Sequence, residues 1–168
     1  MRSHSTSWAR VFGAAAFLAL LSAAPPAGRA QAENGLFAEL SGSWVGEGNI
    51  SLANGTSERI RCRVKYSTSP SGKNLHQDLR CASDSYRFDV LSNVVYQGGA
   101  ISGTWTETTR KATGQISGRV SGGSITATIS GPSVSAEFSL DMRGNQQTVS
   151  IRSSGSDVTS VSMTLARA

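Results

Sequence analysis

Turn signals at near-regular intervals constrain this chain more than any other feature. Asn54-Gly55, Pro70-Ser71-Gly72-Lys73, Gly98-Gly99, Ala112-Thr113-Gly114, Gly122-Gly123, Gly131-Pro132, Gly144-Asn145 and Ser154-Gly155-Ser156 cut everything after Ser41 into short segments. Asn-Gly between alternating apolar residues is the strongest short-range hairpin signal, because both central residues of that turn need positive φ. The segments between the turns are Ser, Thr, Val, Ile and Gly in period-two alternation, the pattern of half-buried strands. Ten strands are expected, at 42–53, 57–68, 74–82, 86–96, 100–109, 114–121, 124–130, 133–142, 147–153 and 158–166. The one helical segment expected is a turn at 36–40, with Phe37 and Leu40 on a single face.

Short loops join antiparallel neighbours. The expected fold is therefore all-β: a single antiparallel up-and-down barrel of about 8–10 strands, since a flat meander leaves two unpaired edges that closure removes. A two-sheet sandwich competes, but it needs longer crossovers than these loops supply.

The first thirty-odd residues differ in kind. A polar start carrying Arg2 and Arg10 is followed by the apolar run Val11 to Ala24, then Pro25, Pro26 and small residues. That order reads as a signal peptide over 1–32, with Ala30-Gln31-Ala32 as its cleavage pattern and 33–168 as one barrel domain. The apolar run is shorter than the roughly 20 residues a membrane span needs. The expectation is an exported chain, periplasmic or secreted, with no membrane span. Removing Arg2, Arg10 and Arg29 lowers the net charge from +5 to +2, too small an excess for a general nucleic-acid partner.

Cys62 and Cys81 are the only cysteines. An even pair in an exported domain most often forms a disulfide, and two thiols with the single later histidine His76 are too few for a structural metal site. Ile60, Cys62, Val64 and Tyr66 share one strand face, and Leu75, Gln77, Leu79 and Cys81 share one on the next. Centring the turn on Ser71-Gly72 sets Cys62 opposite Cys81, Val64 opposite Leu79 and Lys65 opposite Asp78 as an ion pair. The same register sets Arg63 against Arg80, a repulsive pair. A directly cross-strand disulfide is geometrically demanding, so a diagonal or offset bond is the alternative. Ile-Ser-Gly recurs at 101–103, 116–118 and 129–131, with glycine where the sheet bends or packs closely.

Gly42-Ser43-Trp44 opens the first strand and extends to Gly42-x-Trp44-x-Gly46-x-Gly48. A G-x-W at this place resembles the calycin group, lipocalins included, and the longer motif is similar to the start of ten-stranded nitrobindin-type barrels. The resemblance implies that Trp44 packs across the closed end of the barrel under Arg167. It also implies a small ligand inside. Nitrobindin-type barrels hold haem through a histidine near the C-terminus; this chain has none after His76, so no cofactor is carried over. Gly103-Thr104-Trp105 repeats the G-x-W pattern.

No Ser-His-Asp arrangement, phosphate-cradling loop or H-E-x-x-H is present. By alternation His76 points with Asp78 and Arg80, away from the apolar face. Glu47, Glu107 and Glu137, on different strands, are the carboxylates a glycosidase-type cleft would have to bring together, and Glu107 follows Trp105 in phase on the apolar face, where it needs a partner or a raised pKa. The chain is expected not to be an enzyme, with no catalytic or metal residue assigned. Its expected function is to hold a small hydrophobic or amphipathic ligand inside the barrel as a monomer. Trp44, Tyr66, Tyr86, Phe88, Tyr96, Trp105, Glu107 and Phe138 are the candidate lining. Small inward side chains either leave a cavity in so wide a barrel or collapse to fill it. The alternative function uses the outer stripe Arg59, Arg61, Arg63 and Lys65 to bind a protein or an anionic envelope component.

Overall fold

The structure is a computed structural model and describes residues 37–168. The signal peptide over 1–32, its cleavage site and Leu36 lie outside the described residues. Ten strands follow one helical turn at 37–40: β1 Gly42–Leu52, β2 Ser57–Thr68, β3 Asn74–Ala82, β4 Arg87–Gln97, β5 Ala100–Glu107, β6 Ala112–Ser121, β7 Ser124–Gly131, β8 Val134–Arg143, β9 Gln146–Ser154 and β10 Val158–Arg167. Each pairs antiparallel with the next, and β10 pairs with β1, so the sheet closes on itself without an edge. The turn signals place the elements: Gly55 at φ 84° and Gly72 at φ 68° occupy the left-handed region at two of the hairpins.

The register between β2 and β3 is the one the turn length dictates. Cys62 lies directly opposite Cys81 and the two form a disulfide across 4.1 Å between Cα atoms, without the diagonal offset. Val64 faces Leu79 and Arg63 faces Arg80. The expected ion pair is corrected: Lys65 stands opposite Asp78, but the Asp78 carboxylate meets Arg80 on its own strand at 3.4 Å. That contact also offsets part of the Arg63–Arg80 repulsion.

Within β1 the motif glycines let β10 come close. A Cβ on Gly46 would stand 1.9 Å from the Thr164 carbonyl oxygen, and one on Gly48 would stand 2.0 Å from that of Ser162. Only a bare Cα lets β1 and β10 approach so closely on the inner face. Gly103 and Gly118 of the Ile-Ser-Gly triplets meet the carbonyls of Asn93 and Thr126 in the same way.

The strands alternate in direction, so the hairpins at 69–73, 98–99, 122–123 and 144–145 gather at one end. The turn at 37–40 packs there, with Phe37 edge-on to Tyr96 and Leu40 fully buried. Trp44 is fully buried beneath it, its indole nitrogen donating to the Leu40 carbonyl at 2.7 Å. The Arg167 guanidinium covers the ring at 4.4 Å from its centroid and donates to the carbonyls of Ser41 and Glu39. This end is a plug of aromatic, aliphatic and guanidinium groups.

Candidate functional site

Period-two alternation sends every second side chain inward, but the two halves of the lumen differ. Toward the plug, Tyr66, Leu75, Tyr96, Ile101, Ile125, Leu140, Val149 and Leu165 are buried in one cluster with Trp44. In the opposite half, Leu79, Phe88, Ile116, Phe138, Ile151 and Val161 also face inward, yet each is only partly buried. Ile50, Ile60 and the disulfide seal the wall on the β1–β3 side of that half. The inward apolar side chains at this end are thus less fully covered, and the end is rimmed by the connections at 53–56, 83–86, 108–111, 132–133 and 155–157.

The rim carries organised polar groups. Glu107, at the end of β5, is 6% exposed. Its carboxylate accepts from the amides of Asp89 (3.1 Å), Thr109 (3.4 Å) and Arg110 (2.6 Å) and from the Thr109 hydroxyl. Burial pushes its pKa up, but the Thr109 hydroxyl and the three amides outweigh that and hold it below the ordinary carboxylate value. Of the two outcomes expected for Glu107, a partner or a raised pKa, the structure shows the first: it is an ionised latch for the 108–111 turn. Lys111 in that turn sits at φ 55°, a left-handed conformation that costs a residue with a Cβ about 1–2 kcal/mol. Glu58 latches the neighbouring connection, accepting from the Ser83 hydroxyl at 2.7 Å and the Ser85 amide at 3.0 Å; these bonds lower its pKa.

Beside these latches two aromatic rings and a guanidinium meet at Phe88. Tyr86 and Phe88 lie nearly parallel, 6.1 Å apart at 5°. The Arg110 guanidinium lies 5.2 Å from the Phe88 centroid and donates to the Arg87 carbonyl at 3.0 Å.

The eight interior residues named from sequence do not form one site. Tyr86, Phe88 and Phe138 line the open half, with Glu107 at its rim. Trp44, Tyr66 and Tyr96 belong to the plug, where no ligand reaches them without unpacking it. Trp105 is 8% exposed, lies against Gly114 and Gly131, and donates to the Ser130 carbonyl at 3.1 Å. Arg110 carried no sequence signal beyond its place in a turn. Its position over Phe88 arises only once β4 and β5 pair.

The basic stripe faces outward. Arg59 and Arg61 both reach Glu47 on β1, at 2.8 and 3.4 Å, so half of it is offset by a carboxylate. His76 is exposed and bonds Asn93 across the strand pair at 2.8 Å. Glu47, Glu107 and Glu137 are not brought together: Glu47 and Glu137 face outward on β1 and β8, and Glu107 is at the rim. A groove of about 540 Å³ runs along β6 to β9, lined mostly by outward residues such as Ser117, Arg119, Thr128, Glu137 and Arg152 but also by Phe138. It is a concavity of the wall. The apolar surface and the polar latches converge at the mouth instead, and the candidate site is placed there.

No family model matches the chain, and no curated protein matches it. Solved structures do. The structure of Rv2717c from M. tuberculosis superimposes with a TM-score of 0.63 at 16% identity, over 82% of this chain and 97% of that one. An S-type phycobiliprotein lyase, CPES from Guillardia theta, superimposes with a TM-score of 0.62 at 10% identity, over 85% of this chain and 98% of that one. At these identities the likeness establishes the fold, a calycin-like closed barrel. It also corrects one expectation. A barrel of this architecture occurs in a protein described as a lyase, so the lack of a catalytic signature in the sequence does not make this chain a non-enzyme.

Proposed function

We propose that the chain binds a small amphipathic molecule in the open half of its barrel, acting after export from the cytoplasm. One observation carries the reading. Leu79, Phe88, Ile116, Phe138, Ile151 and Val161 point inward yet remain partly exposed, whereas the large inward apolar side chains at the plug end, Met142 apart, are buried. Apolar side chains held in a concave, solvent-reached space favour an apolar guest by about 25 cal/mol per Å² that the guest removes from water. The likeness to a phycobiliprotein lyase supports a barrel of this kind taking a small molecule, and the buried disulfide is consistent with an oxidising compartment.

Titration with a solvatochromic apolar dye tests the reading. The wild-type chain is expected to enhance and blue-shift its emission. Leu79→Asp, which places a charge among the inward side chains away from the outer groove, is expected to abolish the signal while far-ultraviolet circular dichroism stays that of the barrel. A dye signal unaffected by Leu79→Asp, or displaced by substitutions in the outer groove instead, contradicts the proposal.

A further inference from the structure

We infer that Arg110 is the head-group anchor of the mouth and that the preferred guest is an amphiphile with a single anionic head, a carboxylate, on an apolar tail. The inference rests on the proposed binding in the open half and adds the ligand's charge.

Three features converge on Arg110. First, its place: it lies in the 108–111 turn joining β5 to β6, at the rim of the open half, with its guanidinium over Phe88, an inward-facing member of the apolar lining. The cation thus borders the surface that would hold a tail. Second, its fixation. Contact with Phe88, the bond from Nη1 to the Arg87 carbonyl and the Glu107 latch on its own amide hold both ends of the residue in place. A pre-placed guanidinium loses less freedom on binding than a free one. Third, its remaining capacity. Its guanidinium pairs with Glu107 only at 3.8 Å, and that carboxylate already accepts three amides and a hydroxyl on the loop side. Of the five N–H donors a guanidinium carries, one is taken by Arg87, and the side chain is half exposed at 51%.

Lys111 in the same turn is a second exposed cation, but among the described residues only Arg110 lies over Phe88. Arg87 pairs with Asp89 at 3.5 Å, and Glu58 faces the Ser83 and Ser85 donors. A carboxylate above Phe88 meets Arg110 as the cation with donors to spare, and guanidinium–carboxylate geometry permits two parallel bonds.

The test compares two probes of equal tail: 11-(dansylamino)undecanoic acid and its methyl ester, titrated against the wild-type chain, Arg110→Gln, Arg110→Lys and the outer-face control Arg119→Gln. The wild type is expected to bind the acid roughly tenfold more tightly than the ester, the size of one charge-assisted bond. Arg110→Gln is expected to lose that preference with ester affinity unchanged, Arg110→Lys to keep part of it, and Arg119→Gln to match the wild type. Unchanged ester binding doubles as proof that the mouth of the variant is folded. Equal binding of acid and ester by the wild type, or a preference that survives Arg110→Gln, overturns the inference and leaves binding in the open half standing. Failure of both probes to bind the wild type overturns that reading and the inference with it.

Discussion

Arg167 lies over Trp44: the guanidinium of the penultimate residue covers the indole of the first strand at 4.4 Å from the ring centroid. The same guanidinium donates to Ser41 and Glu39, the carbonyls left open where the 37–40 turn ends. One side chain therefore joins the last strand, the first strand and the plug.

Arg167→Ala removes the ring contact and leaves two carbonyls without their donor. The expected cost is about 1–3 kcal/mol of unfolding free energy. Urea titration should show a lower midpoint with the slope unchanged. Gly42→Ala should also destabilise, because Gly42 sits at φ 121° and a Cβ there would meet Arg167 Nη1 at 2.8 Å.

Gln147 is fully buried in the plug, and its side-chain nitrogen has no partner, while its oxygen accepts from the Tyr66 hydroxyl at 3.3 Å. Burial raises the Tyr66 pKa far above its ordinary value, so the phenol stays protonated and donates. Gln147→Leu alone strands that hydroxyl and should destabilise by about 1–3 kcal/mol. Adding Tyr66→Phe removes the stranded group, and the double variant should recover most of the loss. A double-mutant cycle by chemical denaturation checks this; strictly additive losses contradict it.

The disulfide joins residues 19 apart in sequence and directly opposed in register. Replacing both cysteines with alanine should cost about 3 kcal/mol in the chain-entropy account. The barrel's circular dichroism should persist at moderate temperature, with a lower thermal midpoint.

Glu107 gives a pH signature of known sign. Its folded pKa is below the ordinary 4.5, so the unfolded chain binds the proton more tightly. Its contribution is complete above the unfolded pKa and fades as pH falls through the folded one. The stability difference between wild type and Glu107→Gln should be largest near about pH 7 and shrink toward about pH 3. A difference that grows on acidification refutes the latch.

The architecture was legible in the sequence because its determinants are local. Gly55 and most of the other turn glycines supply positive φ, although Asn54, expected to share it, does not; period two sorts inward from outward, and hairpin length sets the pairing of neighbours, down to Cys62 opposite Cys81. The G-x-W resemblance also anticipated Trp44 beneath Arg167. The candidate site was only half legible. Parity says that Trp44 and Phe88 both point inward, but it carries no information on height along the barrel axis. Height depends on how the strands stagger around the closed ring, and it makes Trp44 part of a sealed plug and Phe88 part of an open mouth. Likewise Asp78 chose Arg80 over Lys65, and Glu107 became an ionised latch, because the nearest donors are set by packing and loop conformation. Closure by β1 and β10, the choice of sealed end, and the setting of Arg110 above Phe88 arise between residues distant in sequence. Those relations exist only once the chain has folded back on itself.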